Sequence, residues 1–222
     1  FTLNTLIPAL AKGGFISIDE RLNISKKMSF YSGLNQKSIL QYNLNVPNYF
    51  FWKELLREKT GQTIGRLDSR YLGIDKNEAG SSPDYNAELS SWLHSFTPAI
   101  NHYIKNELKF VTDVKYNMFG PVRPWNNDND NTRDNLRSAM AQNPYLMVLN
   151  QSGYYDGATT YFNAKYTLSQ IDPSGKMKER LKFKGYRSGH MMYLRKEDLI
   201  QANEDLREFI RESASNGKPA KY

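Results

Sequence analysis

The sequence predicts an α/β protein whose last third is built on a parallel sheet. Three observations predict it. Residues 145–149, Tyr-Leu-Met-Val-Leu, make an unbroken apolar run of strand length, the pattern of a strand covered on both faces. Residues 181–186 make a second strand-length segment, in which Lys182 and Lys184 flank Phe183. Helical patterns separate and follow these two segments, over 159–170 and 196–212. A strand–helix–strand–helix order implies parallel pairing, because the helix carries the chain back along the sheet.

The earlier elements follow in order. Leu3, Leu6, Ile7 and Leu10 recur at helical spacing and stop at Gly13-Gly14. Ser17-Ile18-Asp19-Glu20 has the form of a capping box, opening a helix that carries Leu22, Ile24 and Met28 to Gly33. Asn35 can cap a further short helix through Ile39 and Leu40, and Pro47 opens a segment over 48–59 with Phe51, Leu55 and Leu56 on one side. The run 61–73, GQTIGRLDSRYLG, breaks that pattern and suits a short strand or loop; 76–86 is polar and turn-rich, a surface loop. A long helix is expected over 87–108, with Pro98 as a kink. Pro121, Pro124 and the Asn/Asp run 125–131 form another loop, and 133–142 a helix with Leu136 and Met140 inward, ending at Asn143-Pro144. Leu199, Leu206, Phe209 and Ile210 are the expected apolar stripe of the final helix, and the tail from about 213 reads as disordered.

Composition narrows the class. With 222 residues, 39% hydrophobic and 24% charged, the chain has the balance of a globular protein with a core. It has no apolar run near the roughly 18–20 residues of a membrane span. No basic segment precedes an apolar stretch at Phe1, so the start is not a signal peptide. Opening on Phe inside an amphipathic segment, it reads as a piece of a longer polypeptide. The net charge of +7 raises the question of nucleic acid, but acids interleave with bases, as in Lys53-Glu54 and Arg57-Glu58. The densest basic stretch, 176–187, alternates like a strand with one solvated face, so no nucleic-acid partner is expected. The absence of cysteine excludes disulfides, thiol catalysis and zinc–thiolate sites in this chain.

In open parallel sheets, functional side chains sit just past the carboxyl ends of strands. Asp156 follows the first strand segment by a short turn, and His190 follows the second in the same way. Singly, such an aspartate is ordinarily a turn or N-cap residue and such a histidine a loop residue. Together they meet the needs of an acid–base pair: a carboxylate that holds the imidazole's tautomer, and a ring that takes a nucleophile's proton. The nucleophile motif G-x-S-x-G is missing. Ser152-Gly153 has Asn150 where the first glycine belongs, and Ser81-Ser82 lies in a polar loop before Pro83. Because the chain order in that fold is Ser, Asp, His, the serine is expected before Phe1.

The run Gly153-Tyr154-Tyr155-Asp156 with Thr159 and Phe162, and Gly189-His190-Met191-Met192-Tyr193 after it, resembles the bacterial branch of the serine carboxypeptidases. Ala11-Lys12-Gly13-Gly14-Phe15, Gly65-Arg66-Leu67-Asp68-Ser69-Arg70-Tyr71 and Asn143-Pro144-Tyr145-Leu146 are similar to the same branch, so the likeness runs from the first helix to about Glu212. The resemblance implies the C-terminal portion of an α/β-hydrolase fold plus a helical cap insertion. Residues 1–14 would be a helix of the core, 15–110 the cap, and 111–222 the last part of the core with the disordered tail. It implies Asp156 as triad acid, His190 as triad base and Met191 beside the leaving-group pocket. It also implies a peptide substrate cut at its C-terminal end, an acidic working pH, no cofactor or metal, and a periplasmic or secreted location. The segment with the nucleophile (Gly-Glu-Ser-Tyr-Gly), the oxyanion-hole donor and the residues gripping the substrate carboxylate are absent. They are expected in an upstream part of the same polypeptide, without which this chain is expected to be inactive. Gly157 and Thr160 depart from the leucine and proline of the family pattern. A non-catalytic binding or scaffolding homologue, and an esterase or acyltransferase on the same fold, are the alternatives.

Other motifs are weaker. Residues 128–132 have the form of the start of a calcium loop, but Arg133 replaces the required glycine and no glutamate closes it. His94 and His102 fall two turns apart on one predicted helix face, a cap or surface position rather than a metal pair. Tyr49, Phe50, Phe51 and Trp52 are read as cap packing, with the lining of an apolar substrate channel by a few of them as the alternative.

Overall fold

Short polar side chains cap the starts of several helices. The computed structural model describes Phe1 to Tyr222 except residues 115, 119, 121–123, 127, 129–131, 215, 216, 218 and 220–222. It separates into two compact units, Phe1–Glu88 and Leu89–Tyr222.

In the first unit a π-helical turn, Thr2–Leu6, leads into α1 (Ile7–Ala11), whose Pro8 sits in the first turn where a missing N–H leaves no bond unmade. Helix α2 (Ile18–Ser32) starts where Ser17 accepts the Glu20 N–H (3.2 Å) and ends at Gly33 in the left-handed region (φ 78°). Only half of the capping box forms: the Glu20 carboxylate turns instead to Lys12 Nζ at 2.7 Å. Asn35 caps α3 (Gln36–Gln41) by accepting the Lys37 N–H (2.8 Å). The single segment expected over 48–59 divides into α4 (Asn48–Glu54) and α5 (Arg57–Thr60), because Leu56 leaves helical geometry to bridge Gln62. Strands β1 (Thr63–Ile64) and β2 (Leu72–Gly73) pair antiparallel. Ala9, Ile16, Ile24, Leu34, Ile39 and Leu44 form the core, with Met28, Phe51 and Leu55 packed against it. The polar loop after β2 is pinned by a buried lysine: Lys53 Nζ meets Asp75 Oδ2 at 2.5 Å and the Asn77 carbonyl at 2.6 Å. In the GRLDSRY stretch, fully buried Glu88 accepts the Leu67 N–H (2.9 Å), and a Cβ on Gly65 would overlap that carboxylate.

Helix α6 (Ala87–His102), whose residues from Leu89 onward belong to the second unit, contains Pro98 and relaxes into a π-helical turn, Tyr103–Glu107. After α7 (Thr132–Gln142) come β3 (Val148–Gly153), α8 (Tyr161–Ser169), β4 (Leu181–Tyr186) and α9 (Lys196–Ser213). Strands β3 and β4 pair in parallel from Val148↔Leu181 to Gly153↔Tyr186, and α8 packs on both. The protein is therefore mixed α/β with a small two-stranded parallel sheet. Residues 129–131 of the run that has the form of a calcium-loop start, and much of the expected disordered tail, lie outside the described residues.

Two expectations are corrected. The first strand is not the apolar run 145–149 but Val-Leu-Asn-Gln-Ser-Gly, half-buried along most of its length. Asn143 turns the chain before it, its side chain accepting the Tyr145 N–H (3.1 Å) and its carbonyl the Leu146 N–H (3.1 Å). Pairing with β4 begins only at Val148. The second correction concerns α9, which docks by polar residues rather than by its apolar stripe. Asp198, Ala202 and Asp205 are buried, whereas Leu199, Leu206 and Ile210 are 41%, 41% and 57% exposed. Hydrogen bonds explain the choice of face. Tyr186 Oη donates to Asp205 Oδ2 (2.7 Å), Gln151 Nε2 donates to Tyr186 Oη (2.9 Å) and to the Ala202 carbonyl (3.0 Å), and Lys184 pairs with Asp205 Oδ1 (3.0 Å). Buried Arg180 joins α7 to β4: its Nη1 donates to the carbonyls of Met140, Asn143 and Leu146 at 2.9, 3.0 and 3.3 Å.

Candidate active site

The turns that follow β3 and β4 nest against each other. The Tyr154 N–H donates to the Tyr186 carbonyl and the Tyr155 N–H to the Ser188 carbonyl, both at 2.9 Å, so pairing continues past the strands. The approach demands glycine at 153, since a Cβ there would overlap the carbonyl oxygens of Ser188 and Gly189. This nesting brings the side chains of Asp156 and His190 together, with His190 Nδ1 and Asp156 Oδ2 2.8 Å apart.

The Asp156 carboxylate is buried and saturated. Its Oδ1 accepts the N–H groups of Ala158 (2.8 Å) and Thr159 (3.0 Å), and its Oδ2 accepts the Thr159 hydroxyl (2.6 Å) as well as His190. Burial alone pushes the carboxyl up. The hydrogen bonds from the Thr159 hydroxyl, the Thr159 N–H, His190 and the Ala158 N–H outweigh it and hold Asp156 below its ordinary value of 3.8. An ionised Asp156 has only acceptors, so the His190 nitrogen facing it carries a proton, which leaves Nε2 as the basic atom in the neutral ring. The acid is shielded while the base is reachable: the Asp156 side chain is 4% exposed and that of His190 45%. Such a pair can accept a proton at Nε2 and stabilise the resulting imidazolium.

Asp156 Oδ1 does the work of a turn residue, holding two backbone N–H groups, and Oδ2 faces the histidine. Thr160, not Asp156, caps α8. Met191 follows His190, half-buried, and its carbonyl accepts the Leu194 N–H (3.1 Å) to start a short 3₁₀ turn. Among the described residues, the His190 ring bonds to Asp156 and, at 3.2 Å, the Thr159 hydroxyl; no serine hydroxyl is among its partners. Ser152 donates instead to Asn150 (2.9 Å), and fully buried Ser188 to Asp198.

In the sequence Thr159 stands out only as a helix start and as part of a likeness, and Ser188 and Asp198 carry no signal of a role. A hydroxyl three positions beyond an aspartate can reach back to it, and that spacing was the available signal for Thr159. Nothing local marks Ser188 and Asp198, whose contact forms only when α9 docks. His102 Nδ1 lies 3.0 Å from Asn106 Nδ2, and among the described residues no three His, Asp or Glu side chains gather as a metal site. No helix among them is long and apolar enough to cross a membrane. Set against known proteins, the chain matches no family model, no curated protein and no solved structure.

Proposed function

We propose that Asp156 and His190 are the acid and base of a serine-type hydrolase, a carboxypeptidase on an α/β-hydrolase scaffold, whose nucleophile comes from residues outside this sequence. The observation that carries the reading is the 2.8 Å contact between His190 Nδ1 and a buried, four-fold hydrogen-bonded carboxylate. It is supported by the parallel pairing of two consecutive strands with the acid past one and the histidine past the next. On this reading β3 and β4 are the last strands of a larger sheet, and the helices over 15–110 belong to a cap. The serine Oγ attacks the carbonyl of the C-terminal peptide bond while His190 Nε2 takes its proton. The proton passes to the departing amine, and water, deprotonated by the same nitrogen, releases the acyl group and restores the serine. Asp156, held below the usual carboxylate range, stays ionised at mildly acidic pH and keeps stabilising the imidazolium there. The same reading assigns a peptide substrate and a periplasmic or secreted location.

A fluorophosphonate probe, which labels an activated serine, tests it. A polypeptide extending this sequence upstream through a G-x-S-x-G segment should be labelled, and His190→Ala or Asp156→Asn should slow labelling by about 10⁴-fold or more. The 222-residue chain alone should not be labelled. Equal labelling of His190→Ala would sink the reading, and robust labelling of the chain alone would place the nucleophile within it.

A further inference from the structure

We propose that Ser188 and Asp198 act as a positioning pair for His190, so that the docking of α9 sets the orientation of the imidazole; the inference rests on the acid–base reading of Asp156 and His190. Ser188 is fully buried and Asp198 is 6% exposed, although each is polar and lies next to an exposed turn. Burial of a hydroxyl and a carboxylate is unfavourable unless both are bonded. Here each satisfies the other: Ser188 Oγ donates to Asp198 Oδ2, and Arg195 Nη1 donates to Asp198 Oδ1 (2.8 Å).

The pair sits where three pieces of chain meet. Ser188 belongs to the turn after β4, two residues before His190. Its carbonyl accepts the Tyr155 N–H (2.9 Å) from the turn that carries Asp156. Its hydroxyl also lies 3.2 Å from the Met192 carbonyl on the far side of His190, and Asp198 stands in the first turn of α9. The backbone on both sides of His190 is thereby tied to a buried point, and so is the turn bearing the acid. Neither side chain touches the imidazole, so both act through the backbone. His190 needs such support because its ring is half-exposed and, among the described residues, is held by Asp156 and Thr159 alone. A ring held only at Nδ1 keeps its tautomer only while the distance to Asp156 is maintained.

Nitrogen-15 NMR of the imidazole in the 222-residue chain, above the pH at which the ring loses its proton, reads the tautomer directly. In the unsubstituted protein His190 should be in the Nδ1–H form. Ser188→Ala and Asp198→Ala should each lower the Nδ1–H to Nε2–H ratio by about tenfold, the order expected when a bond to a charged group is lost. Asp198→Asn, which still offers the Ser188 hydroxyl an oxygen, should largely restore it. Ser188→Cys keeps the volume with a weaker donor and should fall between, which decides the matter even if the alanine variants lose their fold. A wild-type ratio in Ser188→Ala and Asp198→Ala, or in Ser188→Cys if those do not fold, would overturn the proposal. The acid–base reading fails separately: Asp156→Asn, whose amide donates a hydrogen bond, should drive the ring to the Nε2–H form, and no change there refutes the dyad itself.

Discussion

At the carboxylate of Asp156 four donors converge, and the hydroxyl of Thr159 makes the shortest of the bonds at 2.6 Å. Replacing it by Thr159→Val keeps the shape and removes one donor from Oδ2. The Asp156 carboxyl should then rise, because burial acts against fewer hydrogen bonds. On the proposed acid–base reading the ionised carboxylate is the working form, so a raised carboxyl moves the acid limb of the pH profile to higher pH. In the labelled polypeptide, Thr159→Val should therefore slow fluorophosphonate reaction in acid more than near neutrality, where the carboxylate stays ionised in both proteins. Thr159→Ser should behave like wild type, and an unmoved acid limb in Thr159→Val would show that the hydroxyl plays no part. Asp156 and His190 themselves were legible in the sequence, because residues that follow strands in an α/β pattern fall at one rim of the sheet. Their contact was not, since it depends on the close approach permitted by Gly153.

Strand β3 and helix α9 show where periodicity misleads. The apolar run 145–149 predicts a strand, yet the segment that pairs contains Asn150, Gln151 and Ser152, and Gln151 bonds to both Tyr186 and α9. Likewise Leu199, Leu206 and Ile210 of the apolar stripe of α9 are exposed and Phe209 is half-buried, while the buried side is defined by Asp198 and Asp205. Hydropathy ranks a buried carboxylate as improbable because it cannot see the partner that makes it tolerable. The extent of α9 was nonetheless legible, as its bounds depend on helical pattern and not on which side docks. Tyr186→Phe should test the polar docking: it deprives Asp205 and Gln151 of a partner and should cost about 1–3 kcal/mol of unfolding free energy in a denaturant titration. A neutral result would mean that α9 is held by other contacts. Arg180→Met, which orphans three carbonyls and removes a buried guanidinium, should cost about 3 kcal/mol or more by the same measurement.

Across the molecule, three carboxylates among the described residues of the second unit are held below their ordinary range. Asp156 and Asp205 do so because hydrogen bonds outweigh burial, and Asp172 chiefly through the Ser174 hydroxyl and the Met177 N–H. A carboxyl lower in the folded than in the unfolded chain binds fewer protons when folded, so stability rises with pH across that interval. Their contribution is complete above the unfolded value near 3.8 and is lost as pH falls through the lower folded values. Thermal midpoints should therefore drop below about pH 4, and Asp205→Asn should flatten the drop; an unchanged slope would exclude Asp205 as a contributor. The first unit rests on a different device. Lys53 and Asp75 are 2% and 1% exposed, so Lys53→Met leaves an uncompensated buried charge and should cost about 3–5 kcal/mol, with Lys53→Met/Asp75→Leu milder than the single change.

The sequence by itself determined the local grammar of this protein: the serine and asparagine caps of α2 and α3, the limits of β4, the alternation that demands a parallel sheet, and the pair Asp156 and His190 as candidates for chemistry. These depend on neighbours within a few positions, where propensity, capping and spacing act. Tertiary structure alone decided the rest. It placed β3 by its pairing with Leu181–Tyr186, chose the polar side of α9, buried Lys53 with Asp75, and set Ser188 on Asp198. Each of these joins residues distant in sequence through a hydrogen bond or ion pair, and neither partner carries a local mark of the other.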